Sequence, residues 1–183
     1  PAYVTMLRPV TEAVGSKQKY YSDRFGEVSR TAAWVNMMLH TERATRGGQR
    51  AFVRYHDLLT DWTVPLFHLG EAFDLQAIKT ASANDIRKVH NFIDPSLRRV
   101  QLTWDEIQVP ARLREIAEAT WQELDKLPEP DGDTPEVQAR LDELRATRDN
   151  DCVRRMLDAL AETARGGGNT MYPLLDCVRA YAT

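Results

Sequence analysis

Arg8 stands at the end of a β-prone run, Tyr3-Val-Thr-Met-Leu7, and Pro9 follows it directly. Proline lacks a backbone N–H and has a fixed φ, so it ends a strand and suits the first turn of a helix. Ser16 lies eight residues after Arg8, a little over two turns along that helix. A helix start offers unpaired N–H groups and partial positive charge, and a guanidinium fork matches phosphate oxygens. The chemistry open to this group is therefore anion binding, at the strand-to-helix edge where open α/β sheets take their ligands. Tyr55 ends a second β-prone run that begins at Ala51. On the residues alone the plainer readings come first: an ion-pair partner at Arg8, a solvated Ser16 and a half-buried strand aromatic at Tyr55.

The Arg8-to-Ser16 interval resembles the sulfotransferase pattern R-x-P-x-x-x-x-x-S, with the difference that Pro9 here follows the arginine at once. The run Arg50-Ala-Phe-Val-Arg-Tyr55-His-Asp57-Leu-Leu59 is similar to that family's strand ending in Y-E-D-L, with His56 in place of the acidic residue. Thr41 to Gly47, Phe92 to Arg99 and Leu102 to Asp105 also resemble segments of its bacterial members, in the same order, so the likeness spans residues 3–147. It implies a carboxyl-terminal portion of a sulfotransferase: a helix-rich part of a parallel-sheet, P-loop-like α/β fold with a helical C-terminal segment. It also implies 3'-phosphoadenosine 5'-phosphosulfate as co-substrate, with Arg8 and Ser16 on its 3'-phosphate and Tyr55 on its adenine, and sulfuryl transfer to a hydroxyl acceptor. The family's lysine-bearing P-K-S-G-T-T-like loop does not occur in the chain. Without it the transferred group lacks a preorganised stabiliser, so the expectation is an incomplete, inactive site with no assignable catalytic residue.

The tail has a different likeness. Arg145 to Leu160 and Gly168 to Thr183 are similar to the end of the substrate barrel of methylmalonyl-CoA-type mutases. Two other readings follow: a fragment of a cobalamin-dependent acyl-CoA mutase, or a non-enzymatic helical module that buries its apolar stripes against another protein.

The elements that must position these residues follow from periodicity and punctuation. Two strands, Tyr3–Leu7 and Ala51–Tyr55, each precede helical sequence, which predicts a parallel sheet. Two strands make a small sheet, so a missing N-terminal segment or a protein partner is expected to complete it; the opening Pro1-Ala2 suggests the same incompleteness. Helices are predicted from Val28 to Arg46, from an Asp61 cap to Phe73, within 81–100, and after Pro110 along Leu113, Ala117, Thr120 and Leu124. The Pro128-Glu-Pro-Asp-Gly-Asp-Thr-Pro135 stretch reads as a linker dividing residues 1–127 from a helical segment, 136–183. There, helices are predicted along Val137, Leu141 and Leu144, along Val153, Met156, Leu157 and Leu160, and from Asn169 or Thr170 along Leu174, Leu175, Val178 and Tyr181.

Of 183 residues, 43% are hydrophobic and 28% charged, the composition of a globular chain. Lys and Arg number 24 against 27 Asp and Glu, so no overall positive field favours nucleic acid. No membrane span or signal peptide is read, and a cytoplasmic location is expected. Cys152 and Cys177 have no zinc-ligand spacing, and His40, His56, His68 and His90 are scattered, so no metal site is expected.

Overall fold

A computed structural model describes residues 1–20, 26–146 and 150–179. Among them the expected strands form as β1 (Ala2–Leu7) and β2 (Gln49–Arg54). They pair in parallel, with Ala2 opposite Gln49 and Leu7 opposite Arg54. A parallel pair needs a crossover; here it is α1 (Val10–Tyr20) followed by α2 (Glu27–Thr45). The register ends both strands at one level, so the residues that follow, Arg8 and Tyr55, come side by side. Buried Ala51, Phe52 and Val53 seat β2 in the protein, whereas Val4 and Met6 on β1 are 54% and 43% exposed. The described residues hold this two-stranded sheet and no further strand. The architecture is thus helix-rich α/β, and the P-loop-like sulfotransferase sheet is not found among them.

Helix α3 (Tyr55–Asp61) begins without a turn after β2. Tyr55 therefore opens a helix rather than closing a strand. Trp62 separates it from α4 (Thr63–Ala72), where the Asp61 carboxylate accepts from the Thr63 backbone N–H at 3.1 Å and Pro65 falls harmlessly in the first turn. Beyond come α5 (Gln76–Lys79) and α6 (Ala83–Phe92), the latter capped by Ser82, whose hydroxyl accepts from the Asp85 N–H at 3.2 Å. Two short 3-10 turns, Pro95–Leu97 and Trp104–Glu106, lead to α7 (Ala111–Leu124).

Residues 128–131 form turns, and 132–134 run irregularly into the next helix. At Gly132 an added Cβ would lie 1.8 Å from the Lys126 carbonyl oxygen, so any side chain there would force the backbone apart. Thr134 then caps α8 (Pro135–Ala146) by accepting from the Val137 N–H at 3.3 Å. The last helices are α9 (Asn150–Arg165) and α10 (Met171–Arg179). Gly167, with φ of 70°, ends the first in the left-handed conformation glycine adopts freely, and Asn169 accepts from the Met171 N–H at 3.0 Å to start the second. Tyr181 lies outside the described residues, as do the side chains of Val153, Leu175 and Val178.

One core joins the sheet to helices from both ends of the chain. Leu7 and Phe52 meet Val10 and Val14 of α1, Trp34 and Leu39 of α2, Ala117 and Leu124 of α7, and Val137 and Leu141 of α8. Trp34 also donates its indole N–H to the Arg8 carbonyl at 3.2 Å, which satisfies the strand end, and its ring lies 6.4 Å from that of Trp121. A second, smaller cluster holds Cys177 of α10 against Met156 and Leu160 of α9. No helix among the described residues is long and apolar enough to cross a membrane.

Candidate functional site

The strand ends bring two of the three expected site residues together. The Arg8 guanidinium lies 4.9 Å from the centre of the Tyr55 ring, a cation–π contact that covers the aromatic face. The Tyr55 hydroxyl points to the Leu97 carbonyl at 3.4 Å. Arg8 also faces Glu12, one turn along α1, at 3.5 Å. Glu12 has a side chain only 5% exposed and is held more closely by Arg98, at 2.7 Å. Ser16 sits four residues beyond Glu12 on the same side of α1, half-buried. The group thus contains a buried carboxylate between two arginines, with one guanidinium already stacked on the ring.

A larger charged array went unread in the sequence. Arg46, Arg50 and Arg54 run from the end of α2 through β2, and each reaches acids carried by α8 or by the segment between α7 and α8. Arg46 grips Glu42 at 2.8 Å and Asp142 at 2.7 Å. Arg50 grips the same Glu42 at 3.1 Å and Asp133 at 2.5 Å. Arg54 grips Asp125 and Glu129, each at 2.7 Å. The Glu42 hydrogen bonds, joined by Asp142, hold Arg46 above its ordinary pKa despite the opposing cost of burial. For Arg54 burial is the largest influence and works the other way, but the bonds to Asp125 and Glu129 outweigh it and leave its pKa raised. The one available signal was the spacing of the three arginines four apart, ahead of an acid-rich 125–142.

Asp133 carries a pH consequence. Burial pushes its carboxyl up, while bonds from Arg50 and Gln138 pull it down further, so its pKa in the fold lies below the ordinary value. A depressed carboxyl stabilises the fold above its unfolded pKa, about 3.9, and that contribution disappears as pH falls through the lowered folded value. Wild type is therefore expected to melt above Asp133→Asn at pH 7, and the gap in Tm should close in strong acid. Thermal melts from pH 7 down to pH about 2 check this; a gap independent of pH would remove Asp133 ionisation from the account.

Among the described residues, clefts open near these groups. One of about 460 Å³ lies between α3, α4 and the Pro128 turn, and one of about 510 Å³ lies over Asp125, Glu129 and Asp131. The third, about 430 Å³, is lined by Trp104, Trp121, Thr11 and Glu118. Among the described residues no group of three or more His, Cys, Asp or Glu side chains is placed to hold a metal ion.

Compared with known families, residues 115–183 match the methylmalonyl-CoA mutase model. The match takes in the tail likeness and reaches back into α7. No curated protein and no solved structure matches the chain. The match overturns the expectation of sulfuryl transfer and, with it, 3'-phosphoadenosine 5'-phosphosulfate as co-substrate, since it points to cobalamin and coenzyme A chemistry instead. The geometry is consistent with that correction: the Arg8 fork faces Glu12, and Arg8 itself occupies a face of the Tyr55 ring on which adenine was expected.

A cleft within the matched part is lined by Asp125, Lys126, Glu129 and Asp131, of which Asp125 and Glu129 are paired with Arg54. Residues 115–183 contain no histidine.

Proposed function

We propose that the chain is a mutase-related helical module that works by packing against an acyl-CoA mutase substrate domain and not by turning over substrate. The family match over residues 115–183 carries this reading. Two features support it. The cleft that lies within the matched part has an acidic lining, with Asp125, Glu129 and Asp131 against Lys126, and the α9–α10 hairpin leaves large apolar side chains exposed: Leu157, Met171, Tyr172 and Leu174. Three of the four lie within four residues of one another on α10, and exposed apolar side chains gathered in one segment suit an interaction surface.

The test is association. The chain is titrated by sedimentation into a methylmalonyl-CoA mutase substrate domain, both intact and with its terminal helices removed. Binding to the truncated domain is expected, and Leu157→Asp with Leu174→Asp should weaken it at least about tenfold, because a charge at an apolar contact loses both burial and desolvation energy. Both positions are exposed, so the variants should retain wild-type circular dichroism. Failure to bind the truncated domain, or turnover of methylmalonyl-CoA by the chain supplied with adenosylcobalamin, would overturn the proposal.

A further inference from the structure

The cleft between α3, α4 and the Pro128 turn is used neither by the expected anion site nor by the apolar hairpin. Its volume, about 460 Å³, falls in the range of about 300–1,000 Å³ typical of small-molecule sites. Phe52, Val53 and Leu69 line it, and Val64 and Pro65 of α4 face it together with Pro128 and Pro130 of the turn. Proline rings and aliphatic side chains offer a flat organic body contacts of low entropic cost, since few rotamers have to be frozen.

The polar lining is mainly acidic, with Arg54 and His68 as its basic members. Asp57, Thr60 and Asp61 fall on a single face of α3, spaced three and four apart, and Glu129 joins them from the turn. Arg54 is the lining's one permanent cation, and it is already committed. It binds Asp125 and Glu129 at 2.7 Å each and reaches Asp57 at 3.4 Å. Asp57 also has His56 at 3.1 Å. Asp61 is different: its hydrogen bonds come from the neutral N–H and hydroxyl of Thr63, and His90 acts on it through charge alone. Those bonds hold its carboxyl below the usual range, so it stays ionised. One permanent cation against three carboxylates leaves the lining with a negative surplus, and Asp61, hydrogen-bonded only by neutral groups, sits beside the apolar wall.

We propose that this cleft binds a small organic cation, with an ammonium group on Asp61 and an apolar, arene-sized body between Pro65 and Pro128. An anion would meet the surplus of like charge, with Arg54 unable to turn toward it without leaving Asp125 and Glu129. The inference does not depend on the mutase relationship, because it rests on the cleft's own lining, of which only Pro128, Glu129 and Pro130 fall within residues 115–183.

Three probes share one body and differ in charge: phenethylamine, phenethyl alcohol and phenylacetate. Each is titrated into the full chain by calorimetry, with amide NMR spectra to locate the site. Phenethylamine should shift the amides of α3, α4 and the Pro128 turn and bind about tenfold more tightly than the alcohol, the effect of one charge-assisted hydrogen bond. Phenylacetate should leave those amides unmoved. Asp61→Asn keeps an acceptor for the Thr63 N–H, since Asn serves that helix-start role as well as Asp, and should remove the amine's advantage while leaving the alcohol unchanged. Val64→Trp adds bulk at a position that is 68% exposed, outside the core, and should block amine and alcohol alike. The proposal fails if phenylacetate binds as tightly as the amine, if none of the probes perturbs the cleft, or if amine affinity survives both substitutions.

Discussion

Glu42→Ala is expected to lower unfolding free energy by about 3 kcal/mol, measured by urea denaturation at neutral pH, the low end of the cost of breaking a buried ion pair. The Glu42 side chain is 1% exposed and serves two guanidinium groups at once, Arg46 and Arg50. Arg50 is itself only 5% exposed, so removal of the carboxylate leaves positive charge where water cannot reach freely. The loss sits at the low end because each arginine keeps a second partner, Asp142 for Arg46 and Asp133 for Arg50. Glu42→Gln retains the shape and one acceptor oxygen, and should cost less than alanine. If Glu42→Ala cost under about 1 kcal/mol, the array would have to be counted with ordinary surface pairs, and the link between α2, β2 and α8 would rest on apolar packing alone.

That array shows what local sequence reading can reach. Strand and helix positions were legible where the signal lies within a few residues: Pro9 after the first strand, Thr134-Pro135 before α8 and Asn169 before α10 each act through bonds to neighbours. Tyr55 was misplaced because a β-prone run gives no mark of where it turns helical; the structure bends the chain into α3 with no intervening Gly or Pro. The partners of Arg50 and Arg54 are hidden for a stronger reason. Asp133 and Asp125 lie 83 and 71 residues further on, and only packing brings them near. The Arg8-to-Ser16 interval misled in the opposite way. A strand ending in Arg and followed by a helix with a Ser is a common local arrangement, and such a spacing cannot reveal that the arginine faces Glu12 and rests on Tyr55. The tail carried the better functional signal, as an extended likeness over helices and not a motif of two residues.

Leu141→Ala is expected to cost about 2–5 kcal/mol, as for other fully buried leucines, and its main interest is where the loss is felt. Leu141 is 1% exposed and belongs to the same core as Leu7, Trp34 and Phe52, although it follows the Pro128 to Pro135 turns that read as a linker. All four tryptophans, at 34, 62, 104 and 121, precede those turns. Tryptophan fluorescence therefore reports the first part of the chain, while far-ultraviolet circular dichroism reports every helix. If one core spans both parts, Leu141→Ala shifts the urea midpoint by the same amount in both signals, because a two-state unit unfolds as a whole. If residues 1–127 form an independent unit, the fluorescence midpoint stays where it is in wild type and only the dichroism curve moves or splits. Trp34 and Trp121 make the experiment sensitive: they pack in and against the cluster that Leu141 completes, so a cavity left at Leu141 should disturb the site from which the signal comes.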